Sequence, residues 1–412
     1  MKELFTLGDL YVSDFLKDDE SPRGGSVEMK MMLEPETGLV RLEKTAPLDT
    51  MYGKYWYRSG INNTMKKELK SIVKSITDVV KLKENDLWID IACNDGTLLS
   101  YVPESLIRVG IDPVDDSFKR ESEKHSNLII QDYFSAEVFK KSKFGGLKAK
   151  VITTIAMFYD LDEPKKFIND ILEVLDTNGI WVLQLSYTPL MIKQLAFDNI
   201  CHEHVYYYSL FNIQKMFKDC GIDIVDVQLN DTNGGSFRIY CMKDISDKTK
   251  FSTQPYRDVC NFRINSLLEY EKTLNLDNEK TWVEFFNNIN NLKDKTVSFV
   301  KEEKSKGKKI WGYGASTKGN TLLQYFGLDH TLIDGIAERS IYKFGLKTVS
   351  TNIPIYSEDE MRKESPDYLI VLPWHFINEF IERESEFLKN GGKFIVPCPK
   401  FQIISNNNLI KN

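Results

Sequence analysis

Apolar blocks separated by segments of helical periodicity run through the middle of the chain and predict a parallel β-sheet. Five blocks rich in β-branched and large apolar residues are the expected strands: 87–92, 107–112, 128–134, 151–158 and 180–186. Repeated βα units of this kind form a doubly wound sheet with helices on both faces. Two further apolar runs, at 222–229 and 236–242, are expected to complete this sheet.

A helix and two short strands are expected before this sheet. Apolar side chains recur at helical spacing across residues 62–82, which predicts an amphipathic helix. Residues 1–60 have the composition of a mostly irregular segment, in which strands at 27–33 and 39–42 flank a tight turn. An aromatic cluster at residues 52–60 is expected to pack against the sheet or to face a ligand.

A second α/β pattern follows a helical connector. Residues 250–305 show loose helical spacing and predict one or two long helices. From Lys308 onward, a strand, a glycine turn and a helix are followed by short strands at 332–336, 368–372 and 393–396. The predicted parts of the chain are a small β and irregular segment at 1–60, the main sheet domain at 61–245, the connector at 246–306 and a smaller doubly wound domain at 307–412.

Composition narrows the class of function. Of the 412 residues, 42% are hydrophobic and 28% are charged, as in globular proteins. The net charge of −6 and an isoelectric point of about 5.6 argue against nucleic acid as the partner. No apolar run approaches membrane-spanning length, and no signal-peptide pattern is present. The six cysteines form no C-x-x-C pair, so we expect neither a disulfide framework nor a cysteine zinc site, and we predict a cytoplasmic protein.

The first expected strand runs into a polar turn that suits a cationic ligand. Asp90 lies in the strand, and Asn94, Asp95 and Gly96 form the turn before an expected helix start. A helix N-terminus would leave N–H groups free for a ligand. The dinucleotide fingerprint G-x-G-x-x-G is absent, and carboxylates suit the ammonium and sulfonium of S-adenosylmethionine better than a pyrophosphate. An ordinary strand, turn and helix without a ligand remains the alternative.

The next two strands strengthen the cofactor interpretation. Asp112 ends the second strand about twenty residues after the turn, where a carboxylate can bind a ribose diol. Asp132 and Tyr133 end the third strand, where an aromatic side chain suits adenine. The order of these units resembles a class I methyltransferase, and we predict S-adenosylmethionine as the cofactor.

A cluster of potential proton-transfer groups follows the fifth strand. Cys201, His202, Glu203 and His204 lie beyond the expected carboxyl edge of the sheet, where such folds bind ligands. Three interpretations remain open: a metal site, an inert structural pair of histidines, and a general base with Glu203 positioning or polarising it. If the segment is extended, His202 and His204 share one face and Glu203 points away.

Two glycine-rich segments are candidates for substrate contact. The stretch from Gly312 to Asn320 is a glycine turn with a lysine, and its residues Gly312, Gly314, Ser316, Lys318 and Asn320 could hold a diphosphate. An NAD site is the rival interpretation, but the third glycine falls one residue late for the fingerprint. Residues 230–235 form a polar loop, and Ser236 and Arg238 follow it at alternating positions.

Taken together, the motifs IDIACNDGTLL, CHEHVYYYSL, NGGSFRIY, GYGASTKGNTLLQYFGL and VLPWHF resemble the S-adenosylmethionine-dependent nucleotide-sugar C-methyltransferases of deoxysugar biosynthesis. The resemblance implies methyl transfer to the carbon beside the ketone of a 4-keto nucleotide sugar. It implies that His204 is the catalytic base with Glu203 beside it, and that Tyr57 contributes from the N-terminal aromatic segment. It also implies that the C-terminal domain binds the nucleotide sugar. The electrophile for the enolate oxygen stays unassigned, with Tyr57 or a loop N–H as candidates.

The chain departs from this family at three points. The family's N-terminal zinc cysteines are missing, with Leu33 and Thr37 where one pair would be sought, so no zinc is expected. Cys201 replaces a tyrosine before the HEH segment, and a histidine is replaced around Phe158.

These departures leave two alternatives to carbon methylation. One is methylation of oxygen or nitrogen on a nucleotide sugar, with His204 deprotonating a hydroxyl or an amine. The other is a catalytically silent nucleotide-sugar-binding protein. The intact set of Asp90, Asp95, Gly96 and Asp112 argues against the silent protein.

Overall fold

The computed structural model describes residues 1–47, 50–51 and 55–409, and Tyr52 of the aromatic cluster therefore lies outside the described residues. The N-terminal residues form strands rather than an irregular segment: β1 (Lys2–Tyr11), β2 (Phe15–Leu16), β3 (Ser26–Glu34) and β4 (Leu39–Leu42). β1 pairs antiparallel with β3, and β3 with β4. The sequence analysis missed β1 because bulges near Phe5 and between Thr6 and Asp9 interrupt the alternation of apolar and polar residues.

A seven-stranded sheet forms the centre of the chain. Its helices and strands in chain order, together with the short strand β10, are α1 (Asn63–Val79), β5 (Leu87–Ile91), β6 (Ile107–Ile111), α2 (Asp116–Ser122), β7 (Leu128–Ile130), α3 (Ala136–Lys140), β8 (Ala149–Ile155), α4 (Pro164–Val174), β9 (Leu175–Ser186), α5 (Thr188–Lys193), β10 (Tyr206–Tyr207), α6 (Leu210–Asp219), β11 (Ile222–Asn230) and β12 (Ser236–Lys243). The strand order is β11-β12-β9-β8-β5-β6-β7, which confirms the predicted doubly wound sheet. The chain reverses direction across the sheet between β5 and β8, so the ligand-binding crevice is expected at their carboxyl ends.

The prediction of a helix after β5 is wrong. Residues Leu99–Tyr101 form only one 3₁₀ turn. The Gly96 N–H donates to the Cys93 carbonyl at 2.9 Å, which closes a tight turn, and Pro103 follows too soon for an α-helix to develop. The argument from a free helix N-terminus therefore does not apply to this corner.

Three other element ends differ from expectation for local reasons. α1 begins where the Asn62 side chain accepts N–H bonds from Thr64 and Met65, and it ends at Val79 because Val80 is extended. β7 ends at Ile130, whereas the predicted strand extended to residue 134. β8 ends at Ile155 because Ala156 has a left-handed backbone with φ of 56°.

Two long helices connect the central sheet to the C-terminal part: α7 (Gln254–Thr273) and α8 (Glu279–Ser305). The buried side of α8, including Trp282, Phe285 and Ile289, shares one hydrophobic core with β1 and with the C-terminal sheet. α8 therefore packs between two sheets and does not act as a solvent-exposed spacer.

The C-terminal part is a six-stranded sheet with helices on both faces. Its elements are β13 (Ile310–Tyr313), α9 (Thr317–Phe326), β14 (Ile336–Glu338), β15 (Lys347–Thr348), β16 (Ile355–Ser357), α10 (Glu358–Glu364), β17 (Tyr368–Val371), α11 (Ile377–Arg383), α12 (Ser385–Lys389), β18 (Lys393–Val396), β19 (Gln402–Ile404) and α13 (Asn406–Leu409), of which β15 lies outside this sheet. The order is β16-β14-β13-β17-β18-β19, parallel except for β19, and the chain reverses between β13 and β17. The strand expected at 332–336 begins only at Ile336, because Leu332 and Ile333 turn back onto the Asp329 carbonyl.

Short strand pairings tie the parts of the chain together. β10, from the central part, pairs with β4 of the N-terminal sheet, and β2 pairs with β15 of the C-terminal part. The predicted boundaries at residues 60, 245 and 306 stay predictions, since these pairings cross them. Across the described residues, no helix is long and apolar enough to cross a membrane.

Candidate active site

The carboxyl edges of the two doubly wound sheets open onto one cavity of about 500 Å³. Residues that follow β5, β6, β8 and β9 line one side of it, and the loops after β13 and β17 line the other. In open α/β sheets, ligands bind where the strand order reverses, and here both reversal points face the same space. The cavity can therefore bring a ligand of the first sheet next to a ligand of the second.

Two buried carboxylates lie on the side of the central sheet. Asp112 Oδ2 accepts the Asn94 N–H at 2.7 Å, and its Oδ1 accepts the Val114 N–H at 3.1 Å. Burial raises the pKa of Asp112 to about 6, although these two bonds oppose the shift. Burial also raises the pKa of Asp90 to about 7, against the opposing hydrogen bond from Thr153 Oγ1 at 2.6 Å. Both aspartates line the cavity.

The polar turn after β5 binds the strap, which we define as residues 55–60. Asn94 Nδ2 donates to the Tyr57 carbonyl at 3.0 Å, and Asn94 Oδ1 accepts the Ser59 N–H at 3.1 Å. Asp95 Oδ2 accepts the Gly60 N–H at 2.8 Å, while its Oδ1 accepts from Thr97. Asn94 still lines the cavity, whereas Asp95 does not. The expected cofactor contact of Asp95 is thus corrected to a contact with the strap.

Gly96, Asp132 and Tyr133 occupy three different environments. Gly96 has φ of +75°, and a Cβ there would lie 2.6 Å from Ser122 Cα, so the glycine is required by packing against α2 and not by a ligand. Asp132 Oδ1 accepts the Tyr133 N–H at 2.7 Å and lies outside the cavity lining. Tyr133 lines the cavity, and 46% of its surface is exposed.

His204 is buried in the cavity wall in a defined tautomer. Its Nδ1 lies 2.8 Å from the Asn199 carbonyl oxygen, which can only accept, so Nδ1 carries the proton and Nε2 has a lone pair. The ring packs against Tyr159, with centroids 4.2 Å apart. Burial, and then the charge of Lys318, lower the pKa of His204 to about 3. The imidazole is therefore neutral over the physiological pH range.

The HEH segment is a turn and not an extended strand. The His204 N–H donates to the Cys201 carbonyl at 3.1 Å, so the two histidines do not share a face as expected for a strand. His202 Nε2 instead lies 3.0 Å from the Leu10 carbonyl of β1, outside the cavity lining. Glu203 lines the cavity, and its buried Oε2 has no hydrogen-bond partner in the part of the chain that the structure describes. Within residues 1–47, 50–51 and 55–409, no three His, Cys, Asp or Glu side chains form a potential metal site.

Tyr55 and Tyr57 both line the cavity, but they have different neighbours. Burial, followed by the negative charges of Asp160 and Glu203, raises the pKa of Tyr55. The charged neighbour of Tyr57 is Asp95 in the turn after β5. The structure therefore places Tyr55, which the sequence analysis did not assign, closer to the HEH segment than Tyr57.

The glycines of the turn after β13 are required by packing. A Cβ on Gly314, whose φ is +84°, would lie 2.7 Å from Pro373 Cγ, and one on Gly312 would lie 2.9 Å from the Ile336 side chain. Neither glycine lines the cavity, which corrects the expectation that they cradle a diphosphate. Ser316 does line the cavity, while its hydroxyl caps α9 by accepting the Gly319 N–H at 2.9 Å.

Lys318 and Asn320 lie on opposite sides of α9. Lys318 Nζ reaches the cavity and donates to Asn199 Oδ1 at 2.5 Å and to the Asn233 carbonyl at 3.3 Å. Asn320 Nδ2 donates instead to Ser13 Oγ at 2.7 Å and to the Asp14 carbonyl at 3.2 Å. Asn320 therefore anchors the N-terminal segment, which corrects its expected contact with substrate.

Ser236 and Arg238 lie in different environments, although both were expected to contact the substrate. Ser236 lines the cavity, and its hydroxyl donates to the Thr232 carbonyl at 2.9 Å. Arg238 lies two residues deeper in β12, where its guanidinium forms a buried ion pair with Glu68 of α1 at 2.7 Å and donates to Gln184 at 3.0 Å. Arg238 thus stabilises the packing of α1 on the sheet, and its expected role in substrate binding is corrected.

His375 is a cavity residue that the sequence analysis did not identify. It lies in the 3₁₀ turn Trp374–Phe376 after β17, and no described residue forms a hydrogen bond with its buried Nδ1. Burial, and then the charge of Lys318, lower the pKa of His375 to about 3. Its position just beyond the end of an expected strand was the available signal, because ligand-binding residues of α/β folds follow the carboxyl ends of strands.

The central-sheet side of the cavity fits S-adenosylmethionine. Asp112 is held by backbone N–H groups and keeps lone pairs that can accept from a ribose diol. Asp90 lies close to it, and Tyr133 lines the same part of the cavity. Opposite them lie a neutral histidine and an ammonium, an arrangement that can move a proton beside a bound cofactor.

Comparisons with known proteins agree with this geometry. A family model described as a methyltransferase domain matches residues 61–227, and one described as a C-methyltransferase C-terminal domain matches residues 231–399. The C-methyltransferase NovU of Streptomyces niveus is 26% identical over 406 residues, which covers 98% of this chain and 94% of that protein.

Two solved structures were matched over part of the chain. An S-adenosylmethionine-dependent methyltransferase from Clostridium acetobutylicum is 14% identical with a TM-score of 0.34, covering 45% of this chain and 93% of that one. The magnesium protoporphyrin IX methyltransferase of Synechocystis, with bound SAH, is 13% identical with a TM-score of 0.34, covering 44% of this chain and 88% of that one.

The family and sequence matches confirm four predictions. The chain is an S-adenosylmethionine-dependent methyltransferase, and its central sheet is of the class I methyltransferase type. Its cofactor is S-adenosylmethionine, and the chain as a whole resembles the C-methyltransferases.

Proposed function

We propose that this enzyme transfers the methyl group of S-adenosylmethionine to the carbon beside the ketone of a nucleotide-linked 4-keto sugar. The observation that carries the proposal is His204, a neutral imidazole with Nε2 free to accept a proton in the cavity that the cofactor residues also line. The match to a C-methyltransferase C-terminal domain supports carbon as the acceptor. The nucleotide is proposed to lie along the C-terminal side of the cavity, near Ser316 and His375.

The chain's own residues supply a proton acceptor next to an electrophilic methyl group. A ketone acidifies the neighbouring C–H, and His204 Nε2 takes that proton as the C–H electron pair moves into the enolate. The Asn199 carbonyl stays hydrogen-bonded to Nδ1 and stabilises the imidazolium that forms. When bound, S-adenosylmethionine would supply the methyl group as an electrophile: the enolate carbon would take it as the bond from that methyl to the sulfonium breaks and the thioether S-adenosylhomocysteine leaves.

The low pKa of His204 in the free enzyme is compatible with this role. Burial and the nearby ammonium of Lys318 disfavour the imidazolium before substrate binds. Proton transfer from carbon creates a negative enolate in the same cavity, and an opposite charge within a few ångströms favours the imidazolium. The base is therefore neutral at the start and gains a counter-charge only as the reaction proceeds.

Other cavity groups suit the remainder of a sugar. Glu203 Oε2 is buried, and no described residue donates a hydrogen bond to it. It can accept one from a hydroxyl or an amine of the substrate, which would relieve the cost of burying it unpaired. Tyr55 and Tyr57 extend from the strap over the same space. The strap is hydrogen-bonded to the turn after β5. The residues proposed to contact the sugar are therefore structurally connected to those proposed to contact the cofactor.

Labelled methyl transfer tests the proposal. The enzyme is incubated with methyl-labelled S-adenosylmethionine and a panel of nucleotide sugars with and without a 4-keto group, and products are analysed by mass spectrometry and NMR. We expect label on the carbon beside the ketone, and incorporation of deuterium from heavy water at that carbon when the cofactor is replaced by S-adenosylhomocysteine. Methyl transfer to nucleotide sugars that lack an acidic C–H would contradict carbon methylation.

Methylation of oxygen or nitrogen is the second candidate function. It is favoured by Cys201, which lines the cavity, and by Phe158, which is fully buried in the core of the central sheet. At both positions the chain departs from the C-methyltransferase pattern. His204 would then deprotonate a hydroxyl or an amine through the same Nε2. Label on oxygen or nitrogen without deuterium incorporation at carbon would establish this function instead.

A further inference from the structure

We infer that Lys318 Nζ is the electrophile that holds the ketone oxygen of the substrate and stabilises the enolate. The inference rests on the proposed function and replaces the expected contact of Lys318 with a diphosphate. It is carried by the position of the ammonium in the same cavity as His204 and by the hydrogen bonds that fix it there.

The hydrogen bonds of Lys318 leave one donor for a ligand. A lysine ammonium has three N–H donors and no acceptor. Asn199 Oδ1 and the Asn233 carbonyl each take one, at 2.5 and 3.3 Å. Among the residues that the structure describes, no carboxylate oxygen lies within 4.0 Å of Nζ, so no salt bridge occupies the third donor. The third N–H therefore remains for an oxygen atom in the cavity that Lys318 lines.

Asn199 sets the distance between the base and this electrophile. Its backbone carbonyl orients His204, and its side-chain amide oxygen orients Lys318. Asn199 is almost fully buried, at 1% exposure, and its Nδ2 donates to the Ala196 carbonyl at 3.1 Å, so its own side chain is fixed. A proton acceptor and an oxyanion donor are thus held by one rigid residue, which is the preorganisation that enolate formation requires.

The charges around Lys318 suit one developing oxyanion better than a diphosphate. Burial lowers the pKa of Lys318, and Asp198, Cys201, Glu203 and Asp160 oppose that shift and favour the ammonium. The same ammonium lowers the pKa of His204 and of His375. Asp160, Asp198 and Glu203 are carboxylic acids, and among the described residues Asp198 Oδ1 and Glu203 Oε2 are buried without a hydrogen-bond partner. A diphosphate placed here would bring two or more negative charges against those carboxylates in a buried site. The space beside the glycines of the adjoining turn is occupied by neighbouring side chains, so it offers no cradle for phosphates.

Lys318→Met tests the inference, and Lys343→Met is its matched control. Lys343 is also a buried lysine of the C-terminal part, but its Nζ donates to the Ala315 carbonyl at 2.7 Å and it does not line the cavity. For each variant, kcat, KM for the 4-keto nucleotide sugar, deuterium incorporation beside the ketone and calorimetric binding of S-adenosylmethionine are measured. Circular dichroism and thermal unfolding establish that each variant is folded.

We expect Lys318→Met to lower kcat and deuterium incorporation together by about 10²–10³-fold, the usual effect of removing one oxyanion donor. KM for the sugar should change less than about threefold, because the ammonium acts on charge that develops during the reaction. Lys318→Arg keeps the charge and should retain a measurable part of the deuterium incorporation. Lys343→Met should keep kcat within a few-fold of the wild type.

Several results would overturn the inference. A Lys318→Met enzyme with normal kcat and a strongly raised KM would assign the lysine to substrate phosphate instead. Equal losses in Lys318→Met and Lys343→Met would show a general effect of removing a buried lysine. If Lys318→Met does not fold, the Lys318→Arg variant decides. A folded Lys318→Arg enzyme with no turnover and no deuterium incorporation would contradict the role of Lys318 as an oxyanion donor. Failure of the proposed function is separate, since it would appear as a wild-type enzyme that neither incorporates deuterium nor methylates carbon.

Discussion

The Asn199 carbonyl oxygen accepts a hydrogen bond from His204 Nδ1 at 2.8 Å, and this contact decides which ring nitrogen of the histidine carries the proton. Without it, the imidazole could carry its proton on Nε2 and would be a donor and not an acceptor. The pair is buried, so water does not compete for the Nδ1 proton. The catalytic proposal thus depends on a backbone group five residues away from the histidine.

His204→Asn should lower kcat by about 10²–10⁴-fold, the contribution typical of a positioned general base. Binding of S-adenosylmethionine should change little, because Asp90 and Asp112 are untouched. Deuterium incorporation beside the ketone should fall with kcat. Steady-state kinetics, NMR of the recovered sugar and calorimetry measure the three quantities.

His202→Asn is the matched control for this substitution. His202 contacts the Leu10 carbonyl of β1 outside the cavity, so its loss should cost stability, about 0.5–1.5 kcal/mol for one hydrogen bond, and leave kcat nearly unchanged. A His204→Asn enzyme with near-normal turnover, or a His202→Asn enzyme with the larger kinetic defect, would contradict the assignment of the base.

Asp112→Asn should weaken the binding of S-adenosylmethionine by about 1–3 kcal/mol, since a hydrogen bond to a charged acceptor is lost from the ribose. The amide is isosteric and can still accept one of the two backbone N–H bonds that hold the side chain. Asp132→Asn, outside the cavity lining, is the control and should bind normally. Titration calorimetry measures both, and equal affinities for the two variants would remove Asp112 from the cofactor site.

The affinity for S-adenosylmethionine should increase as pH rises from about 5.5 to 8. Burial raises the pKa of Asp90 to about 7 and that of Asp112 to about 6, so both are partly protonated in the free protein at the low end of this range. A cationic ligand with a ribose diol favours the ionised carboxylates, and each proton released on binding changes the affinity by up to about tenfold per pH unit. Calorimetry in buffers of different ionisation enthalpy measures the released protons.

The stability of the free protein should show the opposite trend. The native pKa of Asp90 lies above the ordinary value of 3.8, so the native state binds the proton more tightly than the unfolded state. This contribution to the free energy of unfolding is complete below pH 4 and is lost as pH rises through about 7. Asp90→Asn should flatten both profiles, and pH-independent binding by the wild type would show that these carboxylates are ionised before the cofactor arrives.

The sequence predicted the central sheet and its carboxylates because both depend on local pattern. Buried parallel strands are continuous apolar runs, and Asp112 could be placed by its distance from the first turn. β1 escaped prediction because its bulges break the two-residue period, and the helix expected after β5 failed because Pro103 limits its length. In both cases the sequence pattern indicated one structure, and a local backbone feature, a bulge or a proline, imposed another.

The residues of the site were harder to predict because their partners are distant in sequence. Asn94 and Asp95 had the right chemistry for a cofactor, but their side chains bind the strap more than thirty residues away. Lys318 meets Asn199 from a different sheet, 119 residues away, and no local pattern predicts that contact. A motif gives the kind of side chain, whereas tertiary packing decides which of its atoms remain for a ligand.

Gly314 provides a test of whether the turn after β13 exists for packing or for phosphate binding. Gly314→Ala places a Cβ 2.7 Å from Pro373 Cγ on a backbone with φ of +84°. The left-handed backbone costs about 1–2 kcal/mol for a residue with a Cβ. The clash with a proline ring that the chain holds in place adds about 1–3 kcal/mol.

Gly345→Ala separates these two costs, because Gly345 has φ of +75° and no atom within 4 Å of the added Cβ. We therefore expect Gly314→Ala to lower the free energy of unfolding by about 1–3 kcal/mol more than Gly345→Ala, as measured by urea denaturation of both variants. If the turn instead cradled a diphosphate, Gly314→Ala would fold with a stability close to that of Gly345→Ala. Its defect would then be a raised KM for the nucleotide sugar, because the added methyl group would push the ligand and not the proline.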